Sequence, residues 1–314
     1  MTVLLARHDV LLLDLDGVVY VGPDPVPHAV AALTGAHARG LRTAFVTNNA
    51  ARPAAEVAEH LRSFGLEVAA ADVVTSAQAA AREVARLLGP GARVLAVGGP
   101  GVGVALEDEG LVPVGSADDA PAAVVMGFGP EVGWGRLAEA AYAVGSGALL
   151  VATNLDTSIP TPRGIAPGNG TLVAAVAAAT GHDPDVVAGK PWPPLLLASI
   201  ERTGATHPLV VGDRLDTDIE AGHRAGIDTL LVLTGVCGVD ELLDADPARR
   251  PTYVAADLRA LTVEADLLVP GAAGAAPDGL RPLRDACARA WAGTTVTRQD
   301  RAELTAAVAA ALRA

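Results

Sequence analysis

LLLDLDGVVY, residues 11–20, is the stretch on which the reading of this chain turns. A short apolar run ends in two carboxylates one residue apart, Asp14 and Asp16, and Gly17 follows at once. Along a strand, alternate residues share a face. A turn at Gly17 ends that alternation, so both carboxylates can converge at the carboxyl end of the strand. Two carboxylates at the mouth of a buried strand are costly unless a cation stands between them. Mg²⁺ is the hard cation that takes few protein ligands and keeps waters and phosphate oxygens as the remainder. An isolated D-x-D-G is more often an acidic turn closing an ordinary strand, so the rest of the chain has to decide.

At 314 residues the chain is long for a single core, and two domains are expected. No stretch approaches the roughly 18 unbroken apolar residues of a membrane span. The first apolar run lacks a basic flank and a cleavage site and runs straight into Asp14, which predicts a cytoplasmic protein. Cys237 and Cys287 have no metal spacing and imply neither a disulfide framework nor zinc. A formal charge of −13 argues against nucleic acid or an anionic membrane as partner. It leaves open a small anionic substrate, because a metal and one lysine can reverse the sign inside a cleft. That lysine is conspicuous: of 23 basic residues only Lys190 is not arginine. Lysine persists in such a composition where a compact ammonium is needed and a planar guanidinium would not fit.

Working outward from residues 9–13 as a first buried strand, residues 26–38 read as a helix and residues 41–46 as a second strand ending in Thr47-Asn48-Asn49. Pro53 opens a helix, residues 73–75 form a short strand, and Ser76 is placed to cap the helix through Leu88. A second alternation runs from residue 92 to about 188, with strands at 93–97, 122–126 and 148–152 and helices at 102–109, 136–144 and 171–180. After Lys190 come a helix at 195–202, a strand at 208–211, a helix to Ala225 and strands at 229–233 and near Tyr253. Strand–helix alternation predicts an α/β fold, a doubly wound parallel sheet of Rossmann-like type interrupted by an inserted α/β domain. The expected division is residues 1–79 with 189–265 as the core, 80–188 as the insertion, and 266–314 as linker plus helical appendage. In that appendage, PGAAGAAPDG at 270–279 reads as linker and 280–291 and 299–312 as helices, the second capped by Thr297 or Asp300. Alanine-rich helices this short are marginal alone, so they are expected to pack on the body or against a second subunit as a homodimer.

Ligands of a doubly wound sheet bind outside the carboxyl ends of its strands. Polar groups fall at four such places: Asp14 with Asp16, Thr47 with Asn48, Lys190, and Asp213 with Asp218. Together they fit phosphoryl transfer through an aspartyl-phosphate, in which a carboxylate nucleophile divides one difficult hydrolysis into two displacements. Asp14, last on its strand, is the natural nucleophile. Asp16 is placed to protonate the leaving alkoxide and then to deprotonate water. Asp213 would complete a Mg²⁺ site. Thr47 and the backbone at Asn48 would hold phosphate oxygens, and Lys190 would add fixed positive charge.

With DLDGVVYVG, TNN, GKP and GDRLDTDIEAG in this order, residues 9–261 resemble the haloacid dehalogenase (HAD) superfamily, specifically its IIA branch of NagD-like and 4-nitrophenylphosphatase-like enzymes. The resemblance implies that Asp14 is nucleophile and Mg²⁺ ligand, and that Asp16 is acid/base with its backbone carbonyl on the metal. It makes Thr47 and Lys190 phosphate binders, Asp213 the third protein ligand, and Asp218 a group that orients metal-bound water or Lys190. The insertion resembles that branch's α/β cap, including TNLDTSIPTPRGIAPGNG at 153–170. Asn154, Asp156 and Asn169 are its candidate substrate contacts, or else residues that shape a tight turn. One departure is Gly127-Phe128-Gly129, whose last position is often aspartate in relatives.

GGPGVG at 98–103 does not satisfy G-x-G-x-x-G and reads as a plain strand–helix turn. The sequence therefore predicts a Mg²⁺-dependent hydrolase of a small phosphorylated metabolite. The type of cap and the appendage suggest by resemblance glycerol 3-phosphate, with 2-phosphoglycolate, pyridoxal 5′-phosphate and nucleoside or sugar monophosphates as alternatives. A phosphotransferase using the same intermediate and a non-catalytic binding protein are the readings from other classes.

Overall fold

The computed structural model describes residues 7–161, 163–262 and 279–314, and groups the chain into two compact units. Unit 1 comprises Met1–Phe45, Leu61–Glu67 and Ser199–Ala314, and unit 2 comprises Val46–His60 and Val68–Ala198. Most of the segment read as a linker, 270–279, lies outside the described residues.

Unit 1 is built on β1 (Val10–Leu13), β4 (Arg42–Thr47, which passes into unit 2 after Phe45), β13 (Pro208–Gly212), β14 (Asp228–Val232) and β15 (Tyr253–Ala255). β2 (Tyr20–Val21) and β3 (Asp24–Pro25) form a small antiparallel ribbon between β1 and the helix Ala29–His37. The main sheet is six-stranded in the order β15-β14-β13-β1-β4-β5, and its last strand, β5 (Val73–Thr75), belongs with Val46 and Thr47 to unit 2. β1 pairs in parallel with β13, Leu13 opposite Val211, and with β4, Leu13 opposite Phe45. All four residues of β1 are buried, as expected of a strand covered on both faces. The chain leaves β1 toward β4 on one side and returns much later to β13 on the other. The gap between β1 and β13 is therefore the topological switch point, where an open parallel sheet leaves a crevice at its carboxyl edge.

Unit 2 carries a second, five-stranded sheet whose strands fall between β5 and β13 in the sequence. Its strands are β6 (Arg93–Val97), β7 (Val112–Val114), β8 (Ala123–Met126), β9 (Leu149–Ala152) and β12 (Val186–Val187), in the order β12-β9-β8-β6-β7 with parallel pairings throughout. Helices Trp134–Gly145 and Asn169–Thr180 cover it, burying Leu95, Val124, Leu150, Ala140 and Val173 in one apolar cluster. A ribbon of β10 (Ser158–Thr161) and β11 (Gly164–Pro167) projects from the loop after β9. The fold is thus a Rossmann-like α/β core with an inserted α/β cap and a helical C-terminal appendage.

The appendage packs on unit 1. Helices Arg281–Trp291 and Arg298–Arg313 place Leu283, Cys287, Leu304 and Val308 in one buried cluster with Ile219 and Leu231. Thr297 caps the second helix through a reciprocal box with Asp300, as read from the sequence. Arg284, fully buried, donates to the carbonyl of Val254 in β15. One cap was misassigned by a residue. Thr75, not Ser76, closes the capping box with Gln78, and the Ser76 hydroxyl is spent on the carbonyl of Asn48 at 2.6 Å.

Candidate active site

Within unit 1, Asp14 follows β1 directly, its N–H donating to the carbonyl of Val211 in β13 at 2.8 Å. This continues the parallel ladder one residue past the strand and holds the Asp14 side chain at the switch point. Asp213 follows β13 on the other side of the same gap. One carboxylate oxygen from each of Asp14, Asp213 and Asp218 lies within 4.8 Å of the others, and the last two are buried. Three hard oxygen donors in so small a space suit Mg²⁺, which accepts carboxylates and completes its octahedron with water and phosphate oxygens. Asp218, which the resemblance expects to orient metal-bound water or Lys190, is one of the three.

The cluster is held by backbone. Gly17 has φ +83°, a left-handed value that a side chain disfavours, and an added Cβ would sit 2.6 Å from Cγ of Asp213. The Gly17 N–H donates to Tyr20 O at 2.8 Å. In a trans peptide the carbonyl points opposite to the N–H, so the Asp16 carbonyl is turned away from Tyr20. Asp16 itself is exposed. The loop after β14 adds two contacts the sequence did not signal: the Val236 N–H donates to Asp213 Oδ2 at 2.7 Å, and the Thr234 hydroxyl donates to Gly17 O at 2.5 Å. Asp218 Oδ2 accepts the Arg214 N–H at 3.2 Å and the Thr217 hydroxyl at 3.3 Å. The wide, π-type turn Leu215–Ile219 swings Asp218 back to the strand end. Arg214 grips Asp216 with both prongs of its guanidinium. Burial opposes ionisation of Asp216, but the Arg214 fork outweighs it and holds the carboxyl below its usual range. Burial pushes the Cys237 thiol well up, with nearby carboxylates adding to the effect, so it is not a nucleophile at neutral pH.

Unit 2 carries the other predicted groups. Thr47 is buried at the end of β4, and its hydroxyl accepts the N–H of Asn49 at 3.0 Å. Lys190 is 3 % exposed, with Nζ 3.3 Å from the carbonyl of Val46. The Asn48 side chain meets the Lys190 main chain as a neighbouring strand would. Its Oδ1 accepts from Lys190 N at 2.8 Å and its Nδ2 donates to Lys190 O at 3.0 Å. The same Nδ2 donates to Asp156 Oδ2 at 3.2 Å. Asn154 Nδ2 donates to Asn48 O at 2.8 Å, and Asn154 Oδ1 accepts from Asp156 N at 3.1 Å. Asn169, 1 % exposed, donates to Met126 O and Asn154 O. The Asn154 amide therefore ties the loop after β9 to Asn48, and Asn169 Nδ2 ties that loop to the end of β8, while Asn169 Oδ1 is buried with no hydrogen-bond partner among the described residues. Gly127-Phe128-Gly129 has a physical reason for its departure: a Cβ on Gly129 would lie 2.6 Å from Gly99 N and 2.7 Å from Gly98 C. The neighbouring GGPGVG segment is the strand–helix turn expected, opening the helix Pro100–Asp108.

Comparison with known proteins agrees with this geometry. The family profile described as haloacid dehalogenase-like hydrolase matches residues 11–112, and a second HAD-hydrolase-like profile matches residues 187–261. The chain is 50% identical over 262 residues to a D-glycerol 3-phosphate phosphatase of Mycobacterium tuberculosis, covering 83% of this chain and 73% of that protein. The crystal structure of glycerol phosphate phosphatase from the same organism in complex with magnesium superposes with TM-score 0.89 at 43% identity, covering 97% of this chain and 98% of that one. A 4-nitrophenylphosphatase from Thermotoga maritima superposes with TM-score 0.76 at 32% identity, covering 82% of this chain and 97% of that one.

Proposed function

Because this chain belongs to the haloacid dehalogenase-like hydrolases, we propose that it is a Mg²⁺-dependent phosphomonoesterase acting on glycerol 3-phosphate through an aspartyl-phosphate at Asp14. The observation that carries the chemistry is the Asp14–Asp213–Asp218 cluster at the β1/β13 switch point. The choice of substrate rests on likeness to the mycobacterial phosphatase.

In this reading Asp14, Asp213 and the carbonyl of Asp16 hold Mg²⁺, and Asp218 holds it or a water on it. The metal, when bound, neutralises nucleophile and phosphate together so that like charges can approach. Asp14 attacks phosphorus while Asp16 gives its proton to the departing glycerol oxygen. Asp16, now a carboxylate, takes a proton from the water that cleaves the acyl phosphate. Thr47, the backbone at Asn48 and Lys190 bind phosphate oxygens, and the lysine charge opposes the negative charge gathering there. The proposed division is a core of residues 1–79 and 189–265 and a cap of residues 80–188, the cap supplying substrate contacts and excluding water. Asn154, Asp156 and Asn169 are the proposed cap residues for reading the substrate.

Among the described residues no helix is long and apolar enough to cross a membrane. Two buried free thiols, Cys237 and Cys287, suit a reducing compartment, and we place the protein in the cytoplasm. Leu283, Cys287, Leu304 and Val308 of the appendage are buried within unit 1, the first of the two packings expected of it.

The test is phosphate release from a panel of glycerol 3-phosphate, 2-phosphoglycolate, pyridoxal 5′-phosphate and sugar and nucleoside monophosphates, with Mg²⁺ and with EDTA. Mg²⁺-dependent preference for glycerol 3-phosphate is expected. Preference for another ester replaces the substrate, and no Mg²⁺-dependent release from folded protein overturns the reading.

A further inference from the structure

We propose that Thr234, in the loop after β14, is a positioning residue that sets the affinity of the carboxylate cluster for its metal. The inference rests on the metal-site reading above. Thr234 does not reach the reacting atoms. Its hydroxyl donates at 2.5 Å to the carbonyl of Gly17, the residue after Asp16. The N–H of the same glycine is fixed on Tyr20 O, so both peptide planes flanking Gly17 are pinned, one of them carrying the Asp16 carbonyl.

The two residues after Thr234 act on the neighbouring ligand. Gly235 lies so close to Asp213 that a Cβ there would stand 2.5 Å from the carboxylate carbon. Val236 N–H holds Asp213 Oδ2, and Cys237 N–H holds the Asp213 carbonyl at 3.0 Å. The Asp213 carboxylate thus lies close against two glycine α-carbons, Gly17 and Gly235, and the Thr234 hydroxyl ties together the loops that carry them. Beyond Cys237 the loop is rooted in the apolar cluster that includes Val239, Leu242, Leu283 and Cys287, so the appendage helices back it. A loop anchored at its far end and bonded at its near end can fix a carboxylate oxygen to the tolerance that a small octahedral cation demands.

The residue is invisible to motif reading because T-G-V after a strand looks like an ordinary turn. Its role appears only when the donor at 234 is seen to meet an acceptor 217 residues earlier in the chain.

The test is the Mg²⁺ dependence of thermal melting on full-length protein, read beside the Mg²⁺ dependence of phosphate release. Thr234→Val keeps the shape and removes the donor. It should raise the Mg²⁺ midpoint in both measurements by roughly tenfold, the scale on which groups behind metal ligands act. Melting without metal should change little, and kcat should recover at saturating Mg²⁺. Thr234→Ala, which adds no bulk, should behave like the valine variant, and Thr234→Ser should restore the wild-type midpoint. Wild-type midpoints in the valine and alanine variants would overturn the proposal, as would a serine variant as weak as valine. If the wild-type protein itself shows no Mg²⁺-linked shift, the metal-site reading fails instead, and the two failures are told apart.

Discussion

Replacing Asn48 by alanine removes three hydrogen bonds at once: from Lys190 N at 2.8 Å, to Lys190 O at 3.0 Å and to Asp156 Oδ2 at 3.2 Å. At a net value of about 1 kcal/mol each, the loss is roughly 3 kcal/mol. Unfolding temperature should drop by roughly 5–10 °C on the scaling for chains of this size. The aspartate variant is more telling. Asn48→Asp keeps an acceptor for Lys190 N but turns a carboxylate toward Asp156 and the Lys190 carbonyl. Two charges 3.2 Å apart repel by about 1 kcal/mol in a watery setting and about 5 kcal/mol at an effective dielectric constant of 20. Both groups are half-buried, so the cost falls between these limits. Asn48→Asp should therefore melt below Asn48→Ala at pH 7. The gap should close as pH falls through the carboxyl range, because one proton on the pair removes the repulsion. Adding Asp156→Asn should recover part of the loss by restoring a donor opposite the new carboxylate. In phosphate release, all Asn48 variants should lower kcat, since the Lys190 main chain loses one of its two ties in the aspartate variant and both in the alanine variant. An alanine variant that melts within about a degree of wild type, or an aspartate variant more stable than alanine at pH 7, would overturn this role for the Asn48 amide.

Lys190→Arg should cost roughly 100-fold or more in kcat/KM in steady-state phosphate release, because the buried position admits a compact ammonium and not a broad fork. Gly129→Asp, which installs the aspartate that the family resemblance suggests at this position, should lower the melting temperature, since its Cβ meets the backbone of Gly98 and Gly99. Asp9 accepts three hydrogen bonds from Thr206 and His207, and these outweigh the burial that opposes its ionisation and hold its pKa below the usual value. A depressed folded pKa gives stability that is present above the unfolded value near 3.9 and is lost as pH falls through the folded one. Asp9→Asn should therefore melt lower than wild type at pH 7, with the difference shrinking below about pH 4 in a pH series of melts.

The strands of the main sheet were legible because a parallel strand covered on both faces must be an unbroken apolar run, and residues 10–13 and 208–211 are such runs. Their carboxyl ends were legible for the same reason: Asp14 and Asp213 stand out where the apolar run stops. Less was readable where local pattern and tertiary need diverge. The β10–β11 ribbon contains Pro160 and Pro167, which argue against strand, yet a two-stranded ribbon is all edge and tolerates them. β12 is two residues long, too short for any periodicity to show. The polar run Thr47-Asn48-Asn49 announced itself, but the division of labour within it did not. Asn48 turns its amide to the Lys190 backbone across 142 residues of sequence, and only the fold brings them together. The loop of Thr234 escaped notice for the same reason.

That Asp14 carries the phosphoryl group during turnover is the step on which the proposed mechanism turns. It is tested most directly by mixing the enzyme and Mg²⁺ with ³²P-labelled glycerol 3-phosphate, quenching in acid within the first turnover, and measuring label on the protein. Wild-type protein should carry acid-stable label that maps to the peptide bearing Asp14, and a folded Asp14→Asn variant should carry none and release no phosphate. Rapid phosphate release with unlabelled protein at every quench time, or label and turnover undiminished in Asp14→Asn, would contradict it.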